Sequence, residues 1–333
     1  MKKVAWGILS TANIGMARVI PAMQQSALCS IDAICSRSLE SAQKAAQRAG
    51  IPKAYGSYEA MLADPAIEAI YNPLPNHLHV EWTIKAMQAG KHVLCEKPLG
   101  MNAEDARRLL AVRDATGQKV MEAFATRLHP QWLKVRELVQ GGRIGDLRAM
   151  QGFVSYYNLD PNNVRNRADI GGGGIMDIGC YLITMPRFIF GTEPSRVISL
   201  VQRDPDLRTD RLVSCILDFP NGQASFMCST QIARYQRMQF FGTLGRIAVE
   251  IPVNAPPDRP CRIVVDDGRD VLGSGIEVIE IPPCNQYAIQ GDAFSRAIRE
   301  DSELPLSLES SVLNMRVIDA IFRSEKSRQW EVP

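Results

Sequence analysis

Short apolar runs alternate with longer amphipathic stretches through the first third of the chain. Val4–Leu9, Ser30–Cys35, Ile67–Tyr71, His92–Cys95 and Val120–Ala123 are short and apolar, as strands covered on both faces should be. Between them Ile14–Gln25, Leu39–Ala49, His77–Ala89 and Ala103–Thr116 read as helices. The last three are closed by Gly50, Gly90 and Gly117, where glycine takes a positive φ at little cost. Strict alternation of strand and helix predicts parallel βαβ units in a doubly wound sheet.

The period changes after about residue 125. Pro130–Gln140 predicts a helix stopped by Gly141-Gly142. Period-two segments follow at Arg148–Tyr157, Arg196–Val201, Leu212–Phe219, Ala224–Gln231, Arg237–Phe241 and Ile247–Ile251. Asn221-Gly222 is a hairpin signal, because both residues accept the positive φ of a tight turn. Helices at Met176–Phe190, Asn285–Arg299 and Glu309–Ser324 are expected to cover one face of this sheet, and Pro252–Pro260 to form a surface loop. The expected organisation is an α/β domain over residues 1–125 and an α+β domain with a large open, mostly antiparallel sheet over residues 126–333.

Composition narrows the function classes. The 38 Lys and Arg against 36 Asp and Glu leave +2, too balanced for a nucleic-acid binder. No apolar run approaches the ~18 residues of a membrane span. The N-terminus leads from Lys2-Lys3 into a short strand, so no secretory leader is expected. The 8 cysteines contain no Cys-x-x-Cys pair and read as buried small hydrophobes of a reducing, cytoplasmic setting. No His, Cys and carboxylate set has ligand spacing, so no metal is expected.

The first strand runs into Gly7-Ile8-Leu9-Ser10-Thr11-Ala12-Asn13-Ile14-Gly15. Set on a dinucleotide fingerprint G-x-G-x-x-G, the first two glycines are Ser10 and Ala12, and only Gly15 stands. The context is still right, because the turn follows a strand and opens a helix. Small residues let amide groups approach a pyrophosphate there. The alternative is an ordinary strand–helix turn. The second strand ends on Ser36-Arg37-Ser38, where an NAD-preferring site would place a carboxylate for the ribose 2′-hydroxyl. Hydroxyls and a guanidinium suit a 2′-phosphate instead, so NADP is expected, with NAD possible. In the other reading Ser38 caps the helix at Leu39 and Arg37 is a solvated charge.

Further motifs follow in order: Pro75-Asn76-x-x-His79, Ala89-Gly90-Lys91-His92-Val93, Glu96-Lys97-Pro98, Arg127-x-His129-Pro130, Gly171–Gly174 leading to Met176-Asp177-Ile178-Gly179-Cys180-Tyr181, and Asn285-Gln286-Tyr287. Together they closely resemble the glucose–fructose oxidoreductase and inositol dehydrogenase (Gfo/Idh/MocA) family, and they span essentially the whole chain. The resemblance implies a Rossmann domain, an open-sheet domain and NAD(P). Tyr181 in place of the more common His resembles the branch of glucose–fructose oxidoreductase, NADP-dependent sugar dehydrogenases and dimeric dihydrodiol dehydrogenase. The implied cofactor set is Ser10, Thr11, Ala12, Asn13, Ile14, Ser36, Arg37, Ser38, Pro73, Leu74, Asn76, His79, Glu96 and Lys97. For His79 a backbone bond is the more ordinary role. A cis Lys97–Pro98 peptide is also implied.

The residues support a chemical site. Lys97 follows the carboxyl end of a parallel strand, where open α/β sheets hold ligands. Asp177 and Tyr181 stand four apart on one helix face. A phenol of ordinary pKa ~10 becomes a usable proton carrier when a lysine stabilises its anion. Lys97, Tyr181 and Asp177 are therefore the catalytic candidates, for hydride transfer at a carbinol or carbonyl carbon of a sugar or cyclic polyol. Arg127, Tyr157, Asp177 and Tyr181 are substrate candidates. Asn163, Arg165 and Arg167 are plausible contacts, and His129 reads as structural. Aldose oxidation leads; dihydrodiol or keto-sugar turnover is the alternative, and a non-catalytic NAD(P)-binding regulator is the alternative of another class. The open sheet face is expected to make a homodimer or homotetramer.

Overall fold

Buried parallel strands need apolar residues on both faces, and the computed structural model, which describes residues 1–333, builds them from the runs of the first third. Strands β1 (Val4–Leu9), β2 (Cys29–Cys35), β3 (Lys53–Tyr55), β4 (Ala69–Asn72), β5 (His92–Cys95) and β6 (Val120–Glu122) form one sheet in the order β3-β2-β1-β4-β5-β6. Every pairing in it is parallel. The order reverses at β1/β4, the switch point where open α/β sheets bind ligands.

Helix α1 (Ile20–Gln24) is preceded by a π-helical segment, Gly15–Val19. Helices α2 (Leu39–Ala49), α3 (Tyr58–Leu62) and α5 (Ala103–Thr116) start on Ser38, Ser57 and Asn102, whose side chains accept amide bonds from Ser41, Ala60 and Asp105. That satisfies one orphan amide at each start. Helix α4 (His79–Gln88) precedes β5. Strand β3 and helix α3 were not expected: with 3 and 5 residues they are too short to show a period.

The second sheet holds β7 (Leu147–Tyr157), β8 (Arg196–Arg203), β9 (Asp210–Phe219), β10 (Gly222–Ser229), β11 (Gln231–Gly242), β12 (Arg246–Val249), β13 (Cys261–Asp266) and β14 (Ile276–Ile281), ordered β14-β13-β12-β11-β7-β10-β9-β8. Only β7 and β10 pair in parallel. The expected hairpin forms, but Phe219 pairs with Gly222, so its turn residues are Pro220-Asn221, and neither Asn221 nor Gly222 takes a positive φ. Val213, Cys215, Leu217, Ala224, Phe226 and Cys228 turn inward, while Ile216 and Met227 remain exposed on the other face. Strands β13 and β14 were not expected. Helices α6 (Pro130–Gln140) and α7 (Cys180–Phe190) fall where predicted, and α7 continues a second π-helical segment, Ile175–Gly179.

The chain divides into two compact units, Met1–Ala125 with Gln286–Met315, and Thr126–Asn285 with Arg316–Pro333. Helix α8 (Gln286–Glu300), expected over the antiparallel sheet, packs instead in the first unit. Phe294 meets Trp6 at 5.4 Å between ring centres, and Arg299 pairs with Glu68 at 2.7 Å. An amphipathic stripe shows that a helix is half-buried, not which sheet buries it. The last helix, α9 (Leu308–Ser327), is divided between the units. Its C-terminal part joins β8, where Ser324 Oγ accepts the Ser199 amide at 3.0 Å. No helix is long and apolar enough to cross a membrane.

Candidate active site

The turn after β1 is built without the first two fingerprint glycines. Ser10 takes φ +98, a region that costs a non-glycine residue about 1–3 kcal/mol. Its hydroxyl offsets part of that by accepting the Ala12 amide at 3.3 Å. Its own amide donates to Cys35 O at 3.1 Å, tying the turn to β2. The amides of Thr11, Asn13 and Ile14 make no hydrogen bond within the protein. Open amides where a helix begins, at the switch point of the sheet, fit the pyrophosphate of a dinucleotide.

Beside it, after β2, Ser38 caps α2 with its hydroxyl 3.4 Å from the Ser41 amide, so the capping reading of Ser38 holds. Arg37 is exposed and forms no ion pair. After β4, buried Asn72 locks the Pro73-Leu74 turn: Oδ1 accepts the Leu74 amide at 3.3 Å and Nδ2 donates to His79 O at 3.1 Å. His79 is only 1% exposed, with Nε2 2.6 Å from Leu74 O and Nδ1 2.7 Å from Pro98 O. Two carbonyls favour its charged form, but burial outweighs them and pulls the imidazole down to about 4. The His79 side chain therefore braces the loops after β4 and β5 from behind; expected among the cofactor residues, it faces only backbone. Lys91 and His92 are bracing residues too: Lys91 Nζ donates to Asp64 O and Ile67 O, and His92 Nδ1 accepts the Lys119 amide.

After β5, Glu96 and Lys97 are half-buried, and the Lys97–Pro98 peptide is cis. Tyr71 donates its hydroxyl to Glu96 Oε1 at 2.7 Å, and the Lys97 amide donates to Oε2 at 3.3 Å. Burial, then the Glu96 carboxylate, push the Tyr71 phenol well above its ordinary value. Tyr287, on the first turn of α8, feels the same carboxylate and the Lys97 ammonium in opposite directions, and burial raises its phenol overall. The first unit thus gathers Glu96, Lys97, Tyr71 and Tyr287. Tyr287 stood in the motif Asn285-Gln286-Tyr287 but not among the candidates, because nothing local links α8 to β5.

The second unit places Asp177 and Tyr181 half-buried on one continuous helical stretch, Asp177 in its π-helical segment and Tyr181 in α7. Asp177 Oδ2 accepts the Tyr156 hydroxyl at 2.7 Å and Arg165 Nε at 2.9 Å. Tyr157, the expected contact, is 65% exposed; its neighbour Tyr156 reaches Asp177. Adjacent strand residues face opposite ways, and Tyr156 continues the inward face of Met150 and Val154. Arg127 lies over the Phe188 ring at 4.5 Å, and Arg136 at 4.7 Å. Asn163 Oδ1 accepts the Arg165 amide at 3.1 Å, shaping the Arg165 turn, and Arg167 pairs with Asp169 at 2.6 Å. His129 Nδ1 accepts the Gln131 amide and starts α6, so its Nε2 carries the proton 3.2 Å from Cys284 Sγ. Burial pulls this imidazole down to about 4, and the residue is structural.

Comparison with known proteins gives the family. Residues 4–124 match the GFO/IDH/MocA oxidoreductase family, NAD-binding Rossmann fold, and residues 132–248 match the GFO/IDH/MocA C-terminal domain. An uncharacterized oxidoreductase, ORF334, of Rhizobium meliloti is 46% identical over 99% of both chains. D-xylose 1-dehydrogenase (NADP(+)) 2 of Haloferax volcanii is 36% identical over 97% of both. Among solved structures, KijD10, a 3-ketoreductase of Actinomadura kijaniata in complex with NADP and TDP-benzene, superposes with a TM-score of 0.90 at 27% identity, covering 97% of this chain and 98% of that one. The chain belongs to the Gfo/Idh/MocA oxidoreductase family. It is an NAD(P)-dependent oxidoreductase whose first unit carries the Rossmann domain.

Proposed function

We propose that the protein transfers hydride between NADP(H) and a carbinol or carbonyl carbon of a sugar or cyclic polyol, with aldose oxidation as its reaction. The observation that carries this reading is Asp177, held by Tyr156 and Arg165 and set four residues ahead of half-buried Tyr181 on one helical stretch. The D-xylose dehydrogenase likeness over 97% of the chain supports the substrate class. Ser10, Thr11, Ala12, Asn13 and Ile14 would hold the pyrophosphate, and Arg37 with Ser36 and Ser38 the 2′-phosphate. An exposed guanidinium without an ion pair, and no carboxylate in that tripeptide, favour NADP over NAD. Pro73, Leu74, Asn76 and Glu96 would line the remainder of the cofactor site.

When bound, the nicotinamide ring supplies the hydride acceptor or donor. Tyr181 takes or returns the hydroxyl proton of the reacting carbon. Lys97 supplies a cation for the reacting oxygen. Asp177, held by the Tyr156 hydroxyl and Arg165 Nε, orients a neighbouring substrate hydroxyl. Arg127 stands as a second-tier substrate contact.

The test is cofactor reduction by a panel of aldoses and cyclic diols with NADP⁺ and NAD⁺. Turnover of an aldose with NADP⁺ preferred is expected. Tight NADPH binding with no turnover of any substrate would make the protein a cofactor-bound regulator. The likeness to KijD10 favours a second reading, keto-sugar reduction, which the same assay run with NADPH and keto-sugars separates.

The eight-stranded sheet also supports self-association into a homodimer or homotetramer. Leu200, Ile216 and Met227 are 70, 38 and 42% exposed on its open half, whereas Arg246 pairs with Asp266 at 2.7 Å on the other. A monomer by light scattering would refute this. The 8 cysteines are all free, and 7 are buried, which supports a reducing, cytoplasmic setting.

A further inference from the structure

The Gly171–Gly174 run ends on a carboxylate that none of the roles above uses. Asp210, the first residue of β9, is 1% exposed. Its Oδ2 accepts the amide of Ile175, the first residue of the π-helical segment, at 2.6 Å. Gly173, at φ +124, backs onto the same carboxylate so closely that a Cβ would stand 1.9 Å from Oδ1. The opposite side of the run is clasped by the Arg165 turn: the Gly173 amide donates to Arg165 O and the Gly172 amide to Arg167 O, both at 2.8 Å. A Cβ on Gly172 would lie 2.6 Å from Arg165 O. Arg165 then reaches Asp177 with Nε, and the Asp177 amide donates to Gly173 O at 3.1 Å. Position is passed from Asp210 to the glycines, and from them to both the backbone and the partner of Asp177.

A serine or asparagine could cap the same amide without a buried charge. The charged groups near Asp210, Arg203 on β8 and Glu325 on α9, are paired with each other at 2.6 Å. Cys228 on β10 is the other titratable side chain facing it. Burial raises the Asp210 carboxyl to about 6. What the ionised carboxylate adds is a short, charge-assisted bond at the positive end of the helix.

We propose that Asp210 is a positioning residue for the reaction: it fixes the start of the helical stretch that carries Asp177 and Tyr181, touching neither substrate nor cofactor. This rests on the reading of Asp177 and Tyr181 given above. The experiment compares Asp210→Ala, Asp210→Asn and Gly174→Ala with Tyr181→Phe in the full chain. It measures aldose turnover with NADP⁺, NADPH binding by fluorescence, and hydrogen exchange of peptides covering residues 171–181. Asp210→Ala should lower kcat at least about tenfold with a smaller change in KM, because small misplacements cost this much. NADPH affinity should hold while exchange at 171–181 quickens. Asp210→Asn keeps an acceptor oxygen and should restore protection and most of kcat. A Cβ on Gly174 would sit 3.2 Å from Asp210 O and 3.3 Å from Asp210 Oδ2, enough to shift this residue slightly, so Gly174→Ala should lower kcat without unfolding the chain. Wild-type kcat in Asp210→Ala, or in Gly174→Ala where the former does not fold, overturns the inference if Tyr181→Phe is inactive. A fully active Tyr181→Phe overturns the catalytic reading instead. With no turnover of any sugar, unchanged exchange at 171–181 in Asp210→Ala overturns the inference on its own.

Discussion

Two turns lead into π-helical segments, one in each unit, and they are built in opposite ways. At Ser10–Gly15 the expected glycines are missing, a serine accepts the positive φ, and three amides stay open. In the Gly171–Gly174 run glycine is a steric necessity at Gly172 and Gly173, and the leading amide is taken by buried Asp210. An open helix start is free to meet an anion, while one closed by an internal carboxylate becomes a fixed platform for side chains. Short π-helical stretches are common at functional sites, and this chain uses one for each purpose. Under the proposed function the first turn serves binding and the second serves chemistry.

Substitutions should separate along that line. Lys97→Met and Tyr181→Phe should each lower kcat by about 10²–10⁴-fold while leaving NADPH affinity within about a factor of two. Loss of affinity in step with kcat would erase the division. Gly173→Ala should destabilise by about 2–4 kcal/mol in urea unfolding, because a Cβ would strike Asp210 Oδ1 at 1.9 Å and the backbone sits at φ +124. The corresponding change in the first turn should behave differently. A Cβ on Gly15 meets Tyr71 at an ordinary 3.6 Å, so Gly15→Ala should not destabilise the free protein and could stabilise it by about 0.5 kcal/mol. Its cost should appear in NADPH affinity, and equal destabilisation at both glycines would contradict the contrast.

Arg37→Glu should shift the NADP⁺ to NAD⁺ preference toward NAD⁺ by about 10–100-fold in kcat/KM, about 1.4–2.7 kcal/mol. Unchanged preference would return Arg37 to a solvated charge. A further expected effect concerns pH. The folded Asp210 carboxyl lies at about 6 against an ordinary 3.8, so the folded state holds its proton longer than the unfolded one. That contribution to stability is complete below about 3.8 and is lost as pH rises through about 6. Asp210→Asn should therefore gain stability over the parent at pH 7, on the order of 1–3 kcal/mol, and gain none near pH 4. A gain independent of pH would show that Asp210 does not titrate in this window.

Local rules made much of this fold legible. Leu39–Ala49 and Ala103–Thr116 form helices with the expected ends, because each has a capping side chain before it and a glycine at φ +64 or +69 after it. Strands β1 and β5 run as read, since a buried parallel strand shows itself as an unbroken apolar burst. The Lys97, Asp177 and Tyr181 candidates were visible as motifs. Their surroundings were less so: His79 bonds two carbonyls, the more ordinary of its two readings, but Tyr156 rather than the expected Tyr157 meets Asp177. Strands β13 and β14 carry charged residues among their apolar ones and follow a proline-rich loop, which obscured their pairing.

The sequence by itself determined the alternation of elements, their caps, the strand–turn–helix context of Ser10 and the order of the chemical motifs. These depend on neighbours within a few residues, where backbone sterics and side-chain period decide. The tertiary structure alone decided that α8 packs against β1, that Tyr287 joins Glu96, and that Asp210 closes the Gly171–Gly174 run. The Asp210 carboxylate bonds an amide 35 positions away, and Tyr156 bonds Asp177 across 21. No local period carries such contacts; they depend on the packing of the sheet's apolar face, which brings residues distant in sequence together.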